Sequence, residues 1–213
     1  MKINQIVIFA GGYGKRLLPL TKDRPKPMVE INNFPFLDYL INSFVTQGIT
    51  NFLILTGYKN HVIEKKYSQI KKINIEFSYL PSKFNTYMRL KNAKHKLDKK
   101  FILIFGDNYT NLDLKKMINF YKKNKVENML TAYSNLNGDA EYGLKNNLLI
   151  KQKKVLEYNN KYKKSYFNAT NIGFYFINKQ SINFDLNFNK SFEETIILDK
   201  IKNNNLFCYL KNR

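Results

Sequence analysis

The sequence predicts an α/β fold: a doubly wound, mostly parallel mixed sheet with helices on both faces. Two observations predict it. Apolar runs of strand length alternate with helix-length amphipathic segments up to about residue 128. The two motifs richest in chemistry follow directly on such runs, at the strand ends where open α/β sheets bind ligands.

Ile6-Val7-Ile8-Phe9 is apolar throughout and runs into glycines, as a buried parallel strand does. Pro35 opens a helix whose apolar positions include Phe36, Leu37, Leu40, Ile41, Phe44 and Val45, and Gly48 closes it. Phe52 to Leu55 predicts a strand, Val62 to Tyr67 a short helix and Ile73 to Tyr79 an alternating strand. Arg89 to Leu97 is expected to be helical. Phe101 to Phe105 reads as another buried strand, stopped by Gly106-Asp107. Asp113 to Lys123 follows as a helix with a carboxylate at its start, where it suits the helix dipole. This succession is Rossmann-like. Past about residue 128 the pattern changes. Met129 to Tyr133, Leu148 to Ile150, Val155 to Tyr158 and Ile172 to Ile177 read as strands that add antiparallel pairings. Phe192 to Lys202 predicts a last helix, and Leu206 to Leu210 a last strand.

With 213 residues, 44% of them hydrophobic, the chain can bury a sizeable core as one domain spanning 1–213. No apolar run approaches the roughly 20 residues of a membrane helix, so no membrane partner is expected. The opening MKINQIVIFAGG lacks the cleavage pattern of a signal peptide. Cys208 is the one cysteine and excludes an internal disulfide framework, so a cytoplasmic protein is expected. His61 and His95 read as helix-surface residues and, with Cys208, show no zinc-like spacing. The net charge of +20 invites a polyanionic partner. Lys, Asn and Ile are abundant in every segment, however, as an AT-rich genome produces, and the charge is not gathered into an arm or tail. Nucleic acid is therefore not the expected partner. The 15 Tyr and 17 Phe fall mainly on strand patterns and are assigned to the core.

The first motif runs from Ala10 to Pro27. Gly11, Gly12 and Gly14 follow the first strand, where glycine lets a ligand approach the amides closely. Successive amides pointing one way form an anion nest. Lys15 and Arg16 stand beside it, and Lys26 is held between Pro25 and Pro27 on a stiffened backbone. The loop lacks the Gly-Lys-Ser/Thr end of a Walker loop, and its glycines do not match the dinucleotide fingerprint. The second motif is Gly106-Asp107, a carboxylate at a strand end on the ligand side of the sheet. Magnesium takes one or two such carboxylates together with substrate phosphates. A turn Asp capping its own backbone is the plainer alternative.

The stretch Gly11-Gly12-Tyr13-Gly14-Lys15-Arg16-Leu17-Leu18-Pro19-Leu20-Thr21, then Pro25-Lys26-Pro27, resembles the signature of the sugar-phosphate nucleotidylyltransferases at every fixed position. The resemblance implies an enzyme that joins a nucleoside triphosphate to a sugar 1-phosphate and releases pyrophosphate. Residues 1–128 would form the nucleotide-binding half and 129–213 the sugar-phosphate half. It implies that Ala10, Gly11, Gly12, Gly14 and Lys15 hold the nucleotide, and that Arg16 holds the leaving pyrophosphate. Lys26 would hold the phosphates at the reacting centre, and Asp107 the magnesium ion. The family commonly supplies a second metal-binding Asp near the carboxyl end. The sequence reaches Arg213 without that segment, and Asp199, in a predicted helix, does not replace it; a truncated chain, a ligand from elsewhere and a weak activity all fit.

Further matches follow the family's order. Phe84 to Leu90 aligns with its Leu-Gly-Thr-Ala-Gly-Ala-Leu segment, keeping Thr86 and Leu90 but carrying Asn85 and Met88 in place of the glycines. Thr86-Tyr87-Met88-Arg89-Leu90-Lys91 is also similar to a run in glucose-1-phosphate cytidylyltransferases. That similarity, with the bulk of Tyr87 and Met88, leans toward CTP, with Pro81, Thr86 and Arg89 as nucleotide contacts. Glu141-Tyr142-Gly143 resembles the family's Tyr-Gly turn, Lys161 falls on the lysine of its Phe-Val-Glu-Lys-Pro segment, and Asn171-Ile172-Gly173 matches Asn-x-Gly. Gly143, Lys161 and Asn171 are thereby implied on the sugar-phosphate side. A homo-oligomer is compatible with this reading. The alternatives are a GTP- or dTTP-using member, a transferase for a non-sugar phosphate such as phosphocholine, and a catalytically impaired binding or regulatory subunit.

Overall fold

A computed structural model describes residues 3–134, 146–160, 164–186 and 189–211. The first strand, β1 (Gln5–Ala10), is buried along its whole length. A short hairpin, β2 (Glu30–Ile31) and β3 (Phe34–Pro35), then leads into α1 (Phe36–Val45). The next elements are β4 (Asn51–Thr56), α2 (Asn60–Tyr67), β5 (Asn74–Tyr79), α3 (Thr86–Asn92), β6 (Lys100–Phe105) and α4 (Leu114–Lys123). Strands β7 (Met129–Ser134), β8 (Leu148–Lys151), β9 (Lys154–Tyr158) and β10 (Ala169–Asn178) follow. A π-helical turn over Glu193–Ile197 then continues into α5 (Leu198–Lys202), and β11 (Phe207–Lys211) comes last.

Among the described residues, nine strands form one sheet in the order β5-β4-β1-β6-β10-β7-β11-β9-β8. Strands β5, β4, β1 and β6 are mutually parallel. β10 joins antiparallel to β6, and β7 antiparallel to β10. The parallel block therefore has the doubly wound order, in which the chain leaves β1 first to one side and later to the other. The strand order switches between β1 and β6, and the crevice beyond their carboxyl ends is where such a sheet binds ligands.

The period-two alternation of the central strands feeds two cores. Val7, Phe9, Leu53, Leu55, Phe101 and Leu103 face one side, against Tyr87 and Leu90 of α3, Ala93 just after it and Ile196-Ile197 of the carboxyl-terminal helical segment. Ile6, Ile8, Phe52, Ile54, Ile102 and Ile104 face the other, against Leu37, Leu40, Ile41 and Phe44 of α1, Ile63 of α2 and Met117 of α4. With both faces covered, the strands carry no polar alternation, which explains their uninterrupted apolar runs.

Several features differ from the sequence expectation, among them the end of α3 at Asn92 and the start of β10 at Ala169. α3 begins at Thr86 and not Arg89, because the Asn85 side chain accepts a hydrogen bond from the Met88 amide (2.9 Å) and caps the helix. The hairpin β2–β3 was not foreseen. Its turn residues Asn32 and Asn33 both have positive φ (50° and 67°), a conformation Asn tolerates. The last helix is a π turn followed by only five α-helical residues. Asp113 does stand at the start of α4, its side chain accepting from the Lys116 amide at 2.9 Å.

Leu103 lies at the middle of β6 and is 0% exposed. Leu103→Ala is expected to cost about 2–5 kcal/mol. The measurement is urea unfolding, with the midpoint lowered and the slope unchanged.

Candidate active site

At the switch point the ends of β1 and β6 are drawn together. The Gly106 amide donates to the Phe9 carbonyl at 2.9 Å. A Cβ on Gly106 would stand 2.9 Å from that carbonyl oxygen and 3.0 Å from the Pro27 ring, so only glycine fits here. Pro27 is thereby held under the β6 end. Its neighbour Lys26 reaches Asp107, with Nζ donating to Oδ2 at 2.7 Å. Both side chains are about one-third exposed (34% and 36%), so the pair faces solvent and not the core.

The loop after β1 closes the other side. Gly14 takes the left-handed conformation (φ 63°), and a tight helical turn follows over Lys15–Leu17. Thr21 is buried and donates its hydroxyl to the Gly14 carbonyl at 3.0 Å, which fixes the loop on itself. Lys26 sits in a second such turn, Lys26–Met28, entered from extended Pro25.

These segments line a cavity of about 420 Å³. Its walls come from the β1 end and glycine loop (Phe9 to Leu17), from Lys26-Pro27, from Ser82 and Phe84 to Thr86, from Arg89, and from Phe105 with Asp107. The cations Lys15, Arg16, Lys26 and Arg89 face it with one carboxylate, Asp107. Such a cleft attracts polyanions. Asp107 offers hard oxygens beside the phosphate loop, which suits Mg²⁺ holding the rest of its shell from phosphate oxygens. No cluster of three or more metal-ligating side chains occurs among the described residues.

The sequence-derived residues fall into three groups. Ala10, Gly11, Gly12, Gly14, Lys15, Arg16, Lys26, Thr86, Arg89 and Asp107 all line the one cavity. Pro81 does not line it, and its carbonyl instead accepts from Arg89 Nη2 at 3.0 Å. Ser82, Phe84 and Asn85 line it and were missed as contacts, although Phe84 and Asn85 lie in the aligned segment. Asn171 stands on β10 at a break in register. Its Nδ2 donates to the Tyr175 hydroxyl (2.7 Å) and its Oδ1 accepts from the Gly173 amide (2.9 Å). Gly143 and Lys161 lie outside the described residues. Three residues after Lys161 in the sequence, Lys164 bonds Glu157, which also accepts from the Tyr166 hydroxyl, and this holds the Glu157 carboxyl below its usual range.

The side chains of the Phe84 to Leu90 segment are not where bulk was expected. Tyr87 is fully buried, and Met88 packs against the same core; neither lines the cavity. The steric argument for a pyrimidine therefore has no basis in the structure. Arg89 is 4% exposed, and burial lowers the pKa of its guanidinium.

A profile of the Nucleotidyl transferase family matches residues 5–206. The chain belongs to this family. Among relatives, this nucleotidyl transferase is 29% identical over 205 residues to the D-glycero-alpha-D-manno-heptose 1-phosphate guanylyltransferase of Aneurinibacillus thermoaerophilus, covering 92% of this chain and 86% of that protein. It is 31% identical over 144 residues to a mannose-1-phosphate guanyltransferase of Hypocrea jecorina, covering 65% of this chain but only 39% of that longer protein. The crystal structure of HddC from Yersinia pseudotuberculosis complexed with GMP-PN superposes with a TM-score of 0.73 at 26% identity, over 98% of this chain and 91% of that one. No helix among the described residues is long and apolar enough to cross a membrane.

Gly12 separates fold from site. A Cβ there would meet nothing within 4 Å, so folding does not demand glycine at this position. Gly12→Ala is expected to keep the parent's melting temperature while weakening nucleoside triphosphate binding about tenfold, equivalent to about 1.4 kcal/mol. Thermal melting and calorimetric titration check the two halves of this expectation.

Proposed function

We propose that this nucleotidyl transferase joins a guanine nucleoside triphosphate to a manno-configured sugar 1-phosphate, giving a nucleoside-diphosphate sugar and pyrophosphate. The observation that carries the reading is the convergence of the glycine loop, Arg16, Lys26 and Asp107 on one cavity at the strand-order switch. The chemistry follows from these parts. A sugar phosphate is already a nucleophile and needs no general base. The barrier lies in bringing two polyanions together and in the charge that builds at the α-phosphorus. A phosphate oxygen of the sugar phosphate forms the new bond to that phosphorus. The bond to the bridging oxygen of the β-phosphate breaks, and pyrophosphate departs with the electron pair. Lys26 would hold the phosphates at the reacting centre and Arg16 the leaving pyrophosphate, each from a backbone set by the turn that carries it. When bound at Asp107, Mg²⁺ supplies Lewis-acid charge to the triphosphate.

Asp107 and Lys26 pair with each other here, so substrate binding must replace one contact with two: Lys26 to phosphate and Asp107 to the metal. The ion pair thus keeps each side chain aimed at the cleft. Guanine is favoured because the relative matched over nearly its whole length is a guanylyltransferase and because Tyr87 and Met88 leave the cavity clear. The manno configuration is favoured because both named relatives act on sugars of that type. An enzyme of this kind would serve the synthesis of surface polysaccharide or glycoconjugate.

The direct test is pyrophosphate release from a panel of the nucleoside triphosphates against several sugar 1-phosphates. GTP with a mannose- or manno-heptose-type 1-phosphate is expected to be fastest. A faster reaction with CTP or dTTP would overturn the base assignment, and no release with any pair would overturn the activity. Asp107→Asn keeps the side-chain size and removes the charge. Its turnover is expected to fall by about 100-fold or more, with half-activation moved to higher magnesium; a titration that overlays the parent's would place the metal elsewhere.

A further inference from the structure

Arg89 is the least ordinary residue of the cavity. Its guanidinium is buried, yet no carboxylate bonds to it among the described residues. Four backbone carbonyls hold it instead. Nη1 donates to Thr56 (2.6 Å) and Leu80 (2.5 Å), and Nη2 to Pro81 (3.0 Å) and Phe84 (3.3 Å). These carbonyls belong to the end of β4, the segment just after β5 and the segment before α3. A planar fork with five donors in fixed directions can hold four carbonyls from three segments in this way, and a lysine, with three donors, cannot make all four bonds.

The same guanidinium fixes the glycine loop from below. A Cβ on Gly11 would lie 2.4 Å from Cζ and Nη1 and 2.6 Å from Nε. One on Gly57 would lie 2.6 Å from Nη1, 2.8 Å from Nη2 and 2.6 Å from the Gly11 carbonyl oxygen. The two glycine backbones therefore pack directly on Arg89, and the Tyr58 amide donates to the Gly11 carbonyl at 3.2 Å. Gly11 is glycine to admit an arginine, whereas Gly12, one residue on, meets nothing on its Cβ side.

We propose that Arg89 is a positioning residue for nucleotide binding: it sets the spacing between the phosphate-binding loop at Gly11 and the opposite wall at Leu80 to Phe84, and its unpaired charge is completed by the bound polyphosphate. Buried charges are ordinarily paired, and a positive group balanced only by carbonyl dipoles favours an anion entering beside it. The guanidinium thus acts through the loop it supports and through its field, with most of its N–H groups already committed to backbone. This inference rests on the nucleotidyl-transfer reading of the cavity.

The test is a double-mutant cycle on Gly11→Ala and Arg89→Ala, read by calorimetric titration with GTP and with inorganic pyrophosphate, and by thermal melting. With Arg89 present, Gly11→Ala is expected to weaken both ligands about tenfold and lower the melting temperature. In the Arg89→Ala background the added methyl has room, and its effect on binding is expected to nearly vanish, a coupling of about 1.4 kcal/mol. Arg89→Lys keeps the charge without the fork and is expected to bind more weakly than the parent but more tightly than Arg89→Ala. Millimolar guanidinium is expected to restore binding to Arg89→Ala but not to Arg89→Lys. Additive effects, or parent-like binding by Arg89→Ala and Arg89→Lys, would overturn the proposal while leaving the transferase reading intact. A parent protein that binds neither ligand would overturn both. If Gly11→Ala does not fold, the Arg89 variants and the guanidinium rescue decide the matter.

Discussion

The parallel pairing of β1 with β6 governs everything the cavity contains. Phe9 lies beside Phe105 in register, so the two strands end at the same level and their following loops start side by side. A residue after one strand can meet a residue after the other only because of this. The Gly106 amide on the Phe9 carbonyl tightens the approach, and Pro27 is lodged against Gly106. The separation of 81 residues between Lys26 and Asp107 is thereby reduced to one hydrogen bond. The loop is an accessory to the sheet: its glycines and prolines have meaning because buried strands hold their ends still.

Electrostatics then follows from where the cations are anchored and not from how many the chain carries. The net charge of +20 is spread over the sequence, and most of it lies on exposed lysines screened within about 8–10 Å. Arg16 and Lys26 differ because each stands on a short turn whose ends are fixed by hydrogen bonds. Arg89 differs because it is buried among carbonyls. A preorganised charge does not have to lose side-chain freedom when the ligand arrives. Lys26 and Arg89, whose charged groups are held by hydrogen bonds, can therefore outweigh many mobile ones.

Much of this was legible in the sequence, for a physical reason in each case. Strands covered on both faces leave continuous apolar runs, so β1, β4 and β6 could be read directly. The loop motif could be read because strand, glycines and framed lysine occur together. The Phe84 to Leu90 segment was read less well. Its letters gave Tyr87 and Met88 as bulk near the ligand, yet helical periodicity turns both toward the core and leaves Phe84, Asn85 and Thr86 at the wall. Direction on a helix depends on where the helix starts, and the Asn85 cap moved that start by three residues. The hairpin at Asn32-Asn33 escaped because its strands are two residues long, too short to show a period. Of the residues the resemblance implies for the sugar phosphate, Asn171 could be placed, whereas Gly143 and Lys161 lie outside the described residues.

The glycines of the loop show how one letter in a motif can answer different demands. Gly11 is constrained from beneath by a guanidinium, Gly12 faces open space, and Gly14 needs a left-handed backbone. Only the second is free of the fold, so only there does the absence of a side chain speak for a ligand alone. The first links the loop to a residue 78 positions away that the sequence presents as one more arginine on a helix. A loop held by its own turns, by the β6 end and by Arg89 from below has little freedom left to lose. The ordering that nucleotide binding would otherwise require is already present in the folded chain.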